Sequence, residues 1–371
     1  MASLSVSNDD DVPVSTLGLL IHSMGGSDEH VRVGSSATVQ DLRNAIDSSC
    51  PTGVFAYRLT LSGALLDEPE AKLSDLGVHD GCRILMLKEF ARDYTRITRF
   101  EQTITCSSTY PNGVLIDGST GCLFVNYYFG LLDIYDSNYS LIRTVRLPGT
   151  APSQMAVTPS GELLIAFRSQ GNVGVFDSAH AEVIRWIGED MRCPSGVAVS
   201  GERVFVSDSQ PGGGGVIRVF RLADGEPLQV VGEASASCEA TLVLSKPSGL
   251  AIVEDRLLAV ANRGRDEVLL IGLDTLEMVG RLPSAEPPTQ VQLRKPNDVA
   301  VDSGGNLLVM DTGNERIAVF RQDGRLLASV MQGFFKDHGN TFSYLACNRE
   351  TGAIAVSNND EHTVAVLAPL V

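Results

Sequence analysis

The sequence predicts a multidomain chain, a small α+β domain followed by an all-β propeller of six four-stranded blades. Three observations carry this. The first ninety residues mix strand-like and helix-like patterns. Beyond them, one phrase of apolar strand, turn and strand recurs, its proline starts separated by 41, 42, 53 and 49 residues. A strand-like segment, Tyr94 to Ile104, precedes the first recurrence, and the last recurrence is one strand short.

At 371 residues with 43% apolar content, the chain has room for two or more domains with real cores. Its formal charge is −16, with 6 basic and 13 acidic residues in Met1–Phe90 and 23 and 32 in Ala91–Val371. Neither part has the surplus of Lys and Arg that phosphate binding draws on, so nucleic acid is disfavoured as a partner. The seven cysteines are scattered and never two residues apart, which leaves no legible zinc module or disulfide framework. Residues 1–15, "MASLSVSNDDDVPVS", read as a disordered acidic tail without the basic and apolar regions of a leader peptide. No uncharged apolar run approaches the roughly 18 residues of a membrane span. The expectation is a soluble cytoplasmic protein, with the nucleus also open to it and no membrane partner.

In the first domain, residues 16–89, "TLGLLIH" and "HVRVG" read as paired strands. "ATVQDLRNAI" then offers Thr38 as an N-cap with Val39, Leu42 and Ile46 on one helical face. "YRLTLSGALLDEP", "KLSDLGVHDG" and "CRILMLK" follow as strand, turn and strand, Leu59 and Leu61 alternating with Thr60. This order, and the spacing of Leu59, Gly63, Leu66, Leu73, Asp75 and Gly81, resembles the ubiquitin-like β-grasp domains. The resemblance implies a docking face around the position of Thr60, where ubiquitin has an isoleucine, with Leu85 and Leu87 beside it. The chain runs on through "LKEFARDY" with no terminal diglycine, so the domain is expected to dock on a ubiquitin receptor or proteasome subunit rather than to be conjugated. Residues 90–94 form a short linker.

The propeller, residues 95–371, is read from starts at Pro111, Pro152, Pro194, Pro247, Pro296 and Phe342. Each unit continues as an apolar strand, a turn, a second strand, a polar loop, a third strand such as "RIAVF" and a fourth such as "LLASV". Tyr94–Ile104 is expected to complete the last blade and close the ring, leaving no unpaired edge. The wording "VMDTGNERIAVF", with Asp311, Asn314, Arg316 and Phe320, resembles NHL-repeat propellers. At the place of Asp311 the other units have Asn126, Phe167, Asp208, Asn262 and Asn358, short polar residues in all but one case, expected to bond the backbone of the turn that follows.

Propellers host both enzymes and binding modules, so the residues must decide. Some related propellers are lactonase-like hydrolases with a channel metal, for which Asn297 and Asp298 are candidates here. The other inner-strand starts offer Asn112, Ser153, Ser195, Ser248 and Ser343, with no second carboxylate where a hard cation wants several converging oxygens. Zinc chemistry of the amidating-lyase kind needs about three converging ligands. His180, His338 and His362 read instead as loop or turn residues. "PGGGGV" lacks the Lys and Ser or Thr of a phosphate loop and reads as a flexible insertion. No cofactor is implied.

The preferred reading is a non-enzymatic adaptor whose propeller binds a client protein or peptide. The client face is expected at Tyr127, Tyr128, Phe129, Arg168, Arg263, Arg265 and Arg316. The alternatives are a metal-dependent hydrolase in the channel and an RNA-binding NHL propeller.

Overall fold

In a computed structural model the chain divides into two compact units, Met1–Arg92 with Val371, and Asp93–Leu370. The structure describes residues 16–23, 28–42, 45, 56–62, 64–66, 68, 70–89, 102–177, 182–232, 242–283, 291–331, 343–359 and 361–367.

The first unit is a five-stranded sheet of β1 (Thr16–Ser23), β2 (Asp28–Gly34), β3 (Ala56–Leu61), β4 (Ala64–Leu65) and β5 (Arg83–Glu89), ordered β2-β1-β5-β3-β4. β1 and β5 are parallel, while the other neighbours are antiparallel. Helical residues 39–42 and 45 lie in the chain between β2 and β3. Thr38 caps this segment: its hydroxyl accepts from Asp41 N at 3.3 Å and its own N–H donates to the Asp41 carboxylate at 2.9 Å, which satisfies two otherwise orphaned donors. The Thr38 N–H, and the Thr38 hydroxyl donating to the same carboxylate at 3.0 Å, hold the Asp41 carboxyl below its ordinary value. Val39 and Leu42 are fully buried with Leu19, Leu59, Leu73 and Ile84 in one core. Gly63 and Ile46 lie outside the described residues.

In the second unit the described residues form six four-stranded antiparallel sheets arranged as a β-propeller. Their innermost strands are Pro111–Ile116, Pro152–Val157, Pro194–Ser200, Pro247–Val253, Pro296–Val301 and Leu345–Cys347, so five begin at the expected prolines. Phe342 lies outside the described residues. The outermost strands, such as Leu141–Arg146, are the most exposed because nothing packs beyond them. The last sheet gains its fourth strand from β6 (Gln102–Thr105), which runs antiparallel to Thr363–Leu367 with Ile104 opposite Val364. Residues 94–101 of the expected closing segment lie outside the described residues.

Each hydrophobic core is shared by two adjacent sheets. Phe124 and Ile134 of the first pack with Leu163 and Phe176 of the second. The ring ends where it began, with Ile104, Ala355 and Val364 of the last sheet packed with Val114, Leu123 and Val125 of the first. No sheet buries both faces without its neighbours, which is why the phrase must recur. Among the described residues no helix is long and apolar enough to cross a membrane.

A register break follows the opening proline of the first five inner strands, at Pro111/Val114, Pro152/Met155, Pro194/Val197, Pro247/Leu250 and Pro296/Asp298. Bulges re-aim side chains, and here they sit at the start of the strands lining the axis. Ile104 is 7% exposed within the closing core. Ile104→Ala should therefore lower the stability of the second unit by about 2–5 kcal/mol, read as a lower midpoint in urea unfolding.

Candidate interaction site at the loop end of the propeller

Antiparallel sheets bring two kinds of connection to one end of the ring, those between second and third strands and those entering each blade. They are stitched together by backbone bonds: Tyr128 N–H to Tyr110 O at 3.1 Å, Ala151 N–H to Tyr128 O at 2.7 Å, Arg168 N–H to Ala151 O at 3.2 Å and Gly264 N–H to Ser245 O at 2.8 Å. The polar residues ending the second strands pin the same connections. Asp208 accepts from the N–H groups of Arg192 and Cys193, Asn262 from Ser245 and Asp311 from Arg294, at 2.7–2.8 Å. This corrects the expected partner, since the bonded backbone enters the blade rather than following the strand. Asn358, accepting from Glu361 N–H, keeps the expected pattern, and Asn126 bonds Gly113 N–H and Ser153 O.

Arg316, expected at the client face, is held by this network. Its guanidinium donates to Asp311 at 2.8 Å, to Ser329 at 3.2 Å and to Gln292 O at 3.1 Å, because the wholly buried Asp311 carboxylate requires a countercharge. Tyr127 is corrected. It ends the strand Leu123–Tyr127, is wholly buried and donates its hydroxyl to Asp133 at 2.6 Å, and burial pushes its phenol well above the ordinary tyrosine value. The "PGGGGV" segment is a hydrogen-bonded turn: Gly213 O accepts from Lys246 N–H and Ser245 Oγ, with Gly212 at φ +85° and Gly213 at φ +94°.

Tyr128 and Phe129 are half exposed, and Tyr110 joins them, its ring edge-on to Phe129 at 6.0 Å and to His362 at 5.1 Å. Arg168 and Arg263 line a cavity of about 410 Å³ together with Arg192, Lys246, Ser195 and Ser248. The Arg168 guanidinium donates to Ser195 Oγ and Tyr344 Oη, both at 2.7 Å. Arg265 lies outside the cavity lining, in an exposed ion pair with Glu267 at 3.4 Å.

The axis is crossed by side chains but not filled, since the inner strands of all six blades line a cavity of about 310 Å³ along it. Gln154 and Asp298, the third residues of their inner strands, reach across the axis. Gln154 Oε1 accepts from Val197 N–H and Leu250 N–H, and its Nε2 donates to Leu250 O and Asp298 Oδ1, each at 2.9 Å. Asp298 Oδ2 accepts from Leu345 N–H at 3.0 Å. Gly113, Gly196 and Gly249 hold the equivalent place in three other blades. A Cβ on Gly249 would lie 1.9 Å from Asp298 Oδ1, and one on Gly196 2.2 Å from Ser248 O. Asn297 is engaged by Ser248 Oγ and Ser343 O. The candidate metal ligands thus serve as cross-axis hydrogen-bond partners, and no cluster of three His, Cys, Asp or Glu suited to a metal occurs among the described residues.

On the first unit, Thr60 lies opposite Leu85 and Arg58 opposite Leu87 in the β3–β5 register. The side chains of Leu85 and Leu87 lie outside the described residues.

Sequence reading missed Gln154, Tyr344, Arg192, Lys246 and Tyr110. Gln154 and Tyr344 were detectable, with Asp298, as the departures from glycine at the third position of the repeat. Tyr110 and Lys246 immediately precede a repeat proline, and Arg192 stands two residues before one.

The NHL repeat family profile matches residues 293–320. Among curated proteins, none matches the chain. A solved structure of the hydrazine synthase of Kuenenia stuttgartiensis is similar with a TM-score of 0.52 and 16% identity, over 71% of this chain and 97% of that one. At that identity the likeness shows the propeller fold alone.

Burial pushes the Asp298 carboxyl up to about 8, against the opposing N–H groups of Leu345 and Val299. With the folded value above the unfolded one, ionisation disfavours the folded state. Stability from this group is complete below the unfolded value near 4 and is lost as pH rises toward 8. Across that window the wild type should lose a few kcal/mol relative to Asp298→Asn. Paired urea titrations at pH 4 to 8 measure this, and parallel pH profiles contradict it.

Proposed function

We propose that the chain is a non-enzymatic adaptor: a ubiquitin-like domain (residues 16–89) joined to a six-bladed NHL-like propeller (residues 95–371) that holds a client protein at its loop end. The observation that carries this reading is the contrast between the two parts of the ring. Gln154 and Asp298 close the axis partway, bonded to each other and to backbone, beside a cavity lined mainly by apolar inner-strand residues, while the loop end presents half-exposed aromatics beside a cation-lined cavity. Aromatic and arginine side chains dominate binding hot spots, and a rigid scaffold that presents them on loops is suited to recognition. A propeller carrying an NHL repeat is a general protein-interaction fold.

The ubiquitin-like reading is supported by the β2-β1-β5-β3-β4 sheet and the capped helical segment after β2. Its docking face would be built on Thr60, Leu85 and Leu87, toward a ubiquitin receptor or proteasome subunit, in a cytoplasmic protein. Joining two weak sites in one chain raises avidity only when both partners are presented together, which suits delivery of a client to a receptor.

Mass spectrometry of proteins retained from a cell extract tests this with the full chain. Tyr128→Ala with Phe129→Ala should remove clients and keep receptor components, and Leu85→Asp with Leu87→Asp should do the converse. Identical sets from all three proteins contradict the adaptor reading. Thr60→Ile, which restores an apolar anchor, should raise receptor affinity about tenfold, measured by titration against the retained receptor subunit.

A further inference from the structure

The cavity at the loop end is anomalous in a chain of net charge −16. Among the described residues four cationic side chains line it, Arg168, Arg192, Lys246 and Arg263, and no carboxylate does. They come from three blades and four connections, so no local sequence run places them together. Elsewhere in the propeller several arginines are paired with carboxylates: Arg185 with Glu162, Arg218 with Asp208, Arg221 with Asp224, Arg256 with Glu254, Arg281 with Glu267, Arg316 with Asp311. Arg192 and Lys246 are exposed, and neither is in a salt bridge among the described residues. Gathering like charges around one cavity costs repulsion that an anionic ligand reverses.

The floor is already organised. Arg168 is held by Ser195 Oγ and Tyr344 Oη at 2.7 Å, and Ser195 Oγ lies 3.5 Å from Ser248 Oγ. Both bonds are donated by Nη2, so the guanidinium plane and its positive charge are fixed before a ligand arrives, which favours an anion. At about 410 Å³ the space fits a side chain or small group. Among the described residues no aromatic one lines it, so none of them offers the stacking platform of single-stranded nucleic-acid sites. One residue connects it to the aromatic ledge: Ala151 donates its N–H to Tyr128 O and accepts from Arg168 N–H.

We propose that this cavity is an oxyanion pocket that receives a carboxylate or phosphate side chain of the client protein, next to an apolar side chain seated on Tyr128 and Phe129. The assignment rests on the client-binding reading of the loop end and adds to it the chemistry of the client: an acidic or phosphorylated segment followed closely by an apolar residue. Recognition of this kind uses arginine clusters as its charge reader.

The test uses the full chain and three pools of otherwise random peptides, with a central Glu, phosphoserine or Gln. The wild type should retain one or both anionic pools at least about tenfold over the Gln pool. Arg192→Glu with Lys246→Glu should abolish that preference, while the control Arg146→Glu with Arg325→Glu, exposed residues outside the cavity, should keep it. Equal unfolding midpoints show that the variants are folded. The stronger anionic pool identifies the source of the oxyanion, carboxylate or phosphate. A wild type without anionic preference, or a cavity variant that keeps it, overturns the proposal. If extract proteins are retained without any anionic preference, the pocket is refuted and the adaptor reading stands. If the preference holds but no extract protein is retained, the adaptor reading fails and the pocket chemistry survives.

Discussion

The bridge from Gln154 to Asp298 across the propeller axis is the constraint on which the ring depends. Inner strands turn one edge toward the axis, where the N–H groups of Val197, Leu250 and Leu345 have no further strand to pair with. An unsatisfied buried N–H costs about 1–3 kcal/mol, and these two side chains take up all three. The bridge joins the second, third, fourth, fifth and sixth blades in one network, with Gly196 and Gly249 leaving the space it occupies. A buried carboxyl without a countercharge is costly, and here the donors it satisfies offset only part of that cost.

An axis bridged in this way makes the ring a platform, and a platform positions its loops. Asp208, Asn262 and Asp311 use buried oxygens to fix the backbone of the connections entering their blades, so Arg192, Ser245 and Arg294 start from defined points. From there Arg192 and Lys246 extend into solvent around the cavity that Arg168 and Arg263 complete. The charge at the loop end is therefore a product of the same bonds that hold the blades together.

Much of this was legible in the sequence because it is periodic. The prolines marked five inner strands, and the strand missing from the last repeat pointed to the segment that contains β6. Asp311 and its counterparts were recognised as backbone-bonding residues, but their partner was misplaced, because a connection 15–17 residues upstream is invisible to local turn chemistry. Tyr127 failed for a similar reason. In "NYYFG" the strand ends between the two tyrosines, so one is core and the next is half exposed. Gln154 and Asp298 could not be paired from sequence, since the bond joins residues 144 apart. The cavity was half legible: two of its four cations stood among the expected residues, and only folding brought the other two beside them.

The central claim is that the chain works through the loop end of its propeller. Amide hydrogen exchange of the full chain, with and without its most strongly retained client, tests it directly. The account predicts slowed exchange in the connections around Tyr110, Tyr128, Arg168, Arg192, Lys246 and Arg263, with the turns at the opposite end, such as 136–140 and 222–226, unchanged. Protection confined to those opposite turns, or to the first unit, would contradict it.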